Sequence, residues 1–555
     1  MIFDDIKGRF EALEGAVLTA ESVGAWLKGW SDLEEELEEA SGWVYVNAAK
    51  DTRDSEAAKA IQAFQGELVP KVQEAEQRLK VKLLDSGLKP EGFRIFLRAL
   101  QADREIFRPE NPALSSRLAE MGNEYNVIAG AQSVKFDGKE QTLRQMAGYL
   151  EKPDRKLREK AWRAMTARRI QDRDKLDALF DRILNQRFVI AGNANYADYA
   201  KFRYKEYNRF DYTPEDAMAL HGRVFKAFGP LIARKNRWKA KAIGLKALKP
   251  WDGAYDPTGA EPLAPFKTVE ELYEGVRRIY ARLSPEPAAM LERLWTKGLL
   301  DLESRLGKGP GGFNHALPKS KGSFIFWSAS GLQTDVIVLL HEGGHAYQGE
   351  LGMRLDSFHH QQLPMEFAEL GSTSMELLGQ AHFEEFYASR DADRARLDTL
   401  WDIADSICRI ASVDRFQHLI HAQPTMSAAE RHACWLELSR PLMEGVDFKG
   451  FEDIAASSWQ STLHIFRLPF YYLDYAFAQM GALQIWEKSL GDPAGAFEDY
   501  KRGIALGSTK SLPELYAAAG CEFMPSDARL ASLASRLEAE IQALLKRLGQ
   551  APLSA

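Results

Sequence analysis

Cysteine is scarce: three in 555 residues, Cys408, Cys434 and Cys521. No two have C-x-x-C spacing. An odd, sparse set excludes a disulfide framework and reads as free thiols in a reducing compartment. Long apolar runs are missing too. No stretch approaches the roughly 20 residues of a membrane span. The start, MIFDDIKGRF, carries two aspartates and no following apolar run, so it does not read as a signal peptide. No long basic block occurs, and the net charge is -7, which leaves a nucleic-acid partner without electrostatic support. The expectation is a cytoplasmic protein that acts on neither nucleic acid nor membrane.

Helical patterning fills most of the chain. Examples are VPKVQEAEQRLKVKLLDSG and KLREKAWRAMTARRIQDRDKLDALFDRILNQRF. The charge run SDLEEELEEAS, from Ser31, reads as the solvated face of a helix. Thr213-Pro214-Glu215-Asp216 is a helix start, with a capping threonine and proline at the first position. Thr268-x-x-Glu271 has capping-box form. Between them LKALKPWDGAYDPTGAEPLAPFK is irregular. The clear strand signal is SFIFWSAS, 323–330. GKGPGG, 307–312, lacks the G-K-[ST] of a phosphate loop. The fold class is mostly α with a small β-sheet beside the helix that holds the motif below. The domain reading is an N-terminal helical lobe, 1–200, and a catalytic region, 201–555.

HEGGHAYQGE, 341–350, carries the chemistry. His341 and His345 share one helix face, a turn apart. A catalytic zinc site needs three protein ligands and an open position for water. Glu342, next in sequence, can hold that water and take its proton. Gly343 and Gly344 weaken the helix by ~1 kcal/mol each relative to alanine. They imply a close approach by substrate or by neighbouring backbone. Chance alone gives H-E-x-x-H on the order of once in a hundred sequences of this length, so a third ligand has to be found. Gln348 and Leu351 exclude the glycine and histidine of the metzincin pattern. His359 and His360, an adjacent pair in an expected loop, read as surface or substrate-facing. MEFAELGSTSMELL, 365–378, reads as a helix with Glu366, Glu369 and Glu376 on one face. Glu369 is the expected third zinc ligand. Glu366 and Glu376 are expected to orient the histidines. Ten of eleven histidines lie at or after His315, so the chemistry belongs to the second half.

LHIFRLPFYYLDYAF, from Leu463, is the other unusual stretch. Pro469 suits a first helical turn. Tyr472 and Tyr475, and Tyr471 and Tyr475, then share faces. Two readings stay open: hydroxyls that stabilise an oxyanion, or an aromatic core stripe with Asp474 pointing outward.

On these segments the chain resembles the thimet oligopeptidase / oligoendopeptidase F family of zinc peptidases, nearest its bacterial oligoendopeptidase branch. GGFNHALPKSKGSFIFWSASGLQTDV, HEGGHAYQ, MEFAELGSTSMELL and HIFRLPFYYLDYAFAQMGALQIW carry the resemblance. KPWDGAYDP and GSTKSLPELYAAAG are weaker blocks. The resemblance implies a two-lobed helical clamshell around a deep channel, acting on oligopeptide substrates. It implies one Zn2+ on His341, His345 and Glu369, with Glu342 as general base. SFIFWSAS would be an edge strand pairing with substrate backbone, contributing Phe326, Ser328 and Ala329. His464, Tyr472 and Tyr475 would bind the scissile carbonyl. Tyr471 and Arg467 are candidates for substrate contact, as is His315. The expected activity is internal cleavage of short to medium unfolded peptides. The alternatives are a helical zinc metallocarboxypeptidase, with Arg467 gripping a C-terminal carboxylate, and a peptide-binding protein with a structural metal.

Overall fold

The computed structural model describes residues 2–553 and is mostly helical, with two small sheets. The chain divides into two compact units. One gathers Met1–Arg104, Pro262–Thr399 and Phe477–Phe523; the other gathers Glu105–Glu261, Leu400–Ala476 and Met524–Ala555. Each unit is assembled from three separated stretches of the chain. Helix periodicity is local, whereas packing joins segments hundreds of residues apart. Among the described residues no helix is long and apolar enough to cross a membrane. All three cysteines are free, with Cys408 and Cys521 buried and Cys434 half-buried.

In the first unit, helix α1 (Val23–Lys50) buries Trp26, Leu27, Trp30 and Leu33. They pack with Phe10, Leu79, Leu83 and Leu100 in one apolar cluster. Its charge run is not the solvated face expected. Glu34 lies 2.9 Å from Nδ1 of His359. Glu36 pairs with Arg9 at 2.8 Å and Lys319 at 3.3 Å. Glu39 accepts a 2.7 Å bond from the Ser320 N–H. These partners arrive from distant segments, which the local pattern does not reveal.

The sheet of this unit consists of β1 (Leu300–Asp301), β2 (Phe313–Leu317) and β3 (Gly322–Phe326), in the order β1–β3–β2. β3 runs parallel to β1 and antiparallel to β2, with Phe313 opposite Phe326 and His315 opposite Phe324. The strand expected at the edge is thus central, and it ends at Phe326 rather than Ser330. Beyond it, the N–H groups of Trp327 and Ala329 already donate to Asp301 at 2.9 Å and Leu302 at 3.0 Å. Lys308, from the glycine-rich segment, donates to the carbonyls of Asp301, Glu303 and Trp327.

Helix α2 (Gln333–Gly352) follows. Asp335 fixes its start, accepting the N–H groups of Ser330 (2.8 Å) and Leu332 (2.9 Å) and Nε1 of Trp327 (2.9 Å). Helix α3 (Met365–Gly379) packs beside α2. A Cβ on Gly344 would lie 2.8 Å from Cα of Ser372, and one on Gly343 would lie 2.3 Å from the Tyr280 hydroxyl. The double glycine thus admits neighbouring backbone and a neighbouring ring. Thr268 caps the helix Val269–Leu283 by accepting the Glu271 N–H, but the Glu271 carboxylate accepts the N–H of Lys267 rather than that of Thr268.

The second unit holds the long helices Arg173–Asn193, Pro214–Ala242 and Asp527–Arg547. Its core packs Phe180, Ile183, Val413, Phe416, Trp459 and Phe466. Thr213 caps its helix as expected, and it also forms a reciprocal box with Asp216, not expected from the sequence. The irregular segment after Ala242 is anchored by Asp252, fully buried between Arg155 (2.9 Å) and Arg158 (3.0 Å).

Candidate metal centre

Consecutive turns of α2 present His341 and His345, and α3 presents Glu369. Among the described residues these three form the group whose donor atoms could hold a metal, all within 4.8 Å of one another. Oε2 of Glu369 is 3.4 Å from Nε2 of His341 and 3.6 Å from Nε2 of His345. Zinc bonds of 2.0–2.2 Å in a tetrahedral shell separate donors by about 3.4 Å. The donors fit that ion. Two imidazoles and one carboxylate, without thiolate, are also the donor chemistry of catalytic rather than structural zinc.

The surroundings select the donor atoms. Nδ1 of His341 lies 2.6 Å from Oε1 of Glu376. A carboxylate accepts, so in the neutral, metal-binding form of the ring Nδ1 carries the hydrogen and Nε2 keeps its lone pair. Burial disfavours a charged His341, but Glu369 and Glu376 outweigh it and raise the pKa well above the usual histidine value. Burial would raise Glu369, yet the two imidazoles hold it below the usual carboxylate range. Burial pushes Glu342 up, with the imidazoles pulling against it. Glu366 is also buried, 3 % exposed, and its backbone carbonyl accepts the Tyr516 hydroxyl at 2.8 Å.

Tyr280 is a residue that sequence reasoning missed. Its hydroxyl donates to the Leu340 carbonyl at 2.8 Å, one residue before His341. The glycine at 343 hints that something approaches there, but nothing local names the tyrosine.

Several expected contacts are displaced. Phe326 is fully buried, stacked on Phe313 and beneath the Lys308 ammonium. With its strand paired on both sides, it offers no surface to a peptide. Ala329 is 9 % exposed and Ser328 half-buried. His315 turns toward α1, with Nε2 3.5 Å from Glu38 and its ring filling the space above Gly42. His359 lies in a short helix, Phe358–Gln361, not a loop. It is buried, stacked on Phe96 and edge-on to Trp30. An imidazole in an aromatic slot with a glutamate partner is a packing element, not a surface group.

In the second unit, His464, Tyr471, Tyr472 and Tyr475 form one cluster of rings. His464 lies 4.9 Å from Tyr472, 5.9 Å from Tyr471 and 6.1 Å from Tyr475 by ring centroids. All four are half-buried, while Asp474 is 1 % exposed and bonded to Arg209. This inverts the core-stripe reading, in which the rings were inside and the aspartate out. Pro469 does not open a helix. It lies in a turn between the helices Leu463–Arg467 and Tyr472–Ser489, where Phe470 has φ +65°. Arg467 is exposed, its side chain against Gly122.

The family model described as Peptidase family M3 matches residues 148–535, and that of the Peptidase M3 N-terminal domain matches residues 2–95. A solved structure of PZ peptidase A with an inhibitor is 25% identical, with a TM-score of 0.88 over 98% of each chain. A protein assigned as oligoendopeptidase F is 24% identical, with a TM-score of 0.88 over 98% of this chain and 97% of that one. Another so assigned, from Bacillus anthracis str. Ames, is 22% identical, with a TM-score of 0.82 over 98% and 96%. No curated protein matches by sequence.

Proposed function

This chain belongs to peptidase family M3, and we propose that it is a zinc-dependent oligoendopeptidase that hydrolyses internal bonds of short to medium unfolded peptides. The observation that carries the reading is the His341–His345–Glu369 donor set, with Glu342 beside it on α2. These three residues would hold zinc. Bound there, zinc would polarise the scissile carbonyl and lower the pKa of its water.

The chain's own residues supply the rest. Glu342 takes a proton from the attacking water and later delivers it to the leaving amine. Its burial beside the donor set on α2 supports this role. Glu376 holds His341 in the tautomer that leaves Nε2 for the metal. Glu366 is assigned a similar supporting role on α3. His464, Tyr472 and Tyr475 are assigned to the oxygen of the scissile carbonyl, where donors set in advance stabilise developing charge. Tyr471, Arg467, Ser328 and Ala329 are assigned to the peptide on either side. Three free cysteines support a reducing, cytoplasmic setting.

Two variants test the reading. Glu342→Gln should keep stoichiometric zinc while kcat falls by at least roughly 10²- to 10⁴-fold. Glu369→Ala should lose zinc along with activity. A wild-type rate in the first, or full zinc content in the second, contradicts the assignment.

A further inference from the structure

Arg187 is buried, 1 % exposed, in the helix Arg173–Asn193. Its Nη2 donates to the carbonyls of Ile465 at 3.0 Å and Phe466 at 2.7 Å. Its Nη1 lies 3.2 Å from Nε2 of His421, whose Nδ1 lies 2.7 Å from the Gln417 carbonyl. A carbonyl only accepts, so Nδ1 carries the hydrogen and Nε2 accepts from Arg187. Burial and the Arg187 charge keep His421 neutral, well below its usual pKa. Burial lowers Arg187 to about 10, which leaves it a cation at neutral pH. A buried cation is costly unless its donors are well used. Here Nε has no partner among the described residues, while Nη1 meets His421 and Nη2 grips two carbonyls in the last turn of the short helix Leu463–Arg467.

Gln417 holds the next point. Its Oε1 accepts the Phe470 N–H at 2.9 Å. The Phe470 carbonyl accepts Nη2 of Arg209 at 2.9 Å, and the same nitrogen reaches Asp474 at 2.5 Å. Phe470 is fully buried in the left-handed region, against the rings of His418 (4.9 Å) and His421 (5.0 Å). That conformation is costly for a non-glycine residue. The bonds on both of its peptide groups hold it there. The segment 465–474 is thus pinned at 465, 466, 470 and 474. His464 precedes the first pin, Tyr471 and Tyr472 fall between the last two, and Tyr475 follows. A costly backbone fixed from several sides is how a site keeps side chains in a preset geometry.

We infer that Arg187 and Gln417 are positioning residues for the His464–Tyr471–Tyr472–Tyr475 cluster. They hold the Phe470 turn so that the hydroxyls and imidazole are aligned before substrate arrives. This rests on the reading that the cluster serves the hydrolysis.

The test uses the full, zinc-loaded chain and an internally quenched peptide. Arg187→Lys keeps the charge but loses the fork. It is measured alone and in a Tyr475→Phe background, with zinc content recorded. The expected result is a roughly 10- to 100-fold fall in kcat, with KM within about threefold of wild type and zinc unchanged. In the Tyr475→Phe background the further loss should shrink to less than about threefold. Gln417→Leu, which removes only the acceptor for Phe470, is the second variant and should behave the same way. A loss of equal size in both backgrounds means that Arg187 acts independently of the cluster and overturns the inference. So does wild-type kcat in either folded variant. Wild-type kcat in Tyr475→Phe, Tyr472→Phe and His464→Gln alike overturns instead the role given to the cluster, and the inference with it.

Discussion

Oε1 of Glu376 sits 2.6 Å from Nδ1 of His341, on the side of the ring away from the donor atom that faces Glu369. The bond decides which nitrogen is free for a metal. Such outer partners usually contribute 10- to 100-fold in metal affinity. Glu376→Ala should weaken zinc binding by about that factor, read by competition with a chelator, with the helices intact by circular dichroism. Unchanged affinity would remove Glu376 from the account.

The close approach at Gly343 makes a second prediction. A Cβ there meets the Tyr280 hydroxyl at 2.3 Å. Gly343→Ala gains ~1 kcal/mol of helix propensity, but overpacking typically costs 1–3 kcal/mol, so net destabilisation is expected. Tyr280→Phe alone loses about 1 kcal/mol with its bond to Leu340. Combined, the two should cost less than their sum, because removing the hydroxyl opens room for the methyl. Additive losses in denaturant unfolding would contradict this packing.

Glu76 makes a prediction about pH. Burial, reinforced by the Glu34 carboxylate and opposed by Lys80, pushes its pKa up to about 7. An unfolded glutamate titrates near 4.3. Between these values the folded chain holds a proton that the unfolded chain has lost, so stability falls as pH rises from about 4.3 to about 7 and is level above. Glu76→Gln removes that loss. It should be more stable than wild type at pH 8 by on the order of a few kcal/mol, with the difference vanishing toward pH 4. An equal difference at both pH values would show that Glu76 does not titrate in this way.

Legibility from sequence followed the range of each interaction. His341 and His345 lie one helical turn apart, with Glu342 between them, so the face the two histidines share is set by local geometry. Glu369 needed a second helix, and the shared face of Glu366, Glu369 and Glu376 pointed to it. Strand pairing is not local: nothing in SFIFWSAS announces that Leu299–Leu302 occupies one side of it. The glutamates of α1 read as solvated for the same reason, since Lys319, Ser320 and His359 lie far along the chain. Phe470 could not be read because its left-handed turn is imposed by Gln417 and Arg209, not chosen by a glycine.

The central claim, a zinc-dependent cut at internal bonds, is tested most directly with a peptide blocked at both ends. Products would be identified by mass spectrometry from the purified protein alone, with chelator, and with zinc restored. The account predicts internal fragments that vanish with chelator and return with zinc. Cleavage that ignores the chelator would contradict the metal's role. An intact blocked peptide, alongside stepwise trimming of a free C-terminus, would contradict the endopeptidase reading and favour a carboxypeptidase.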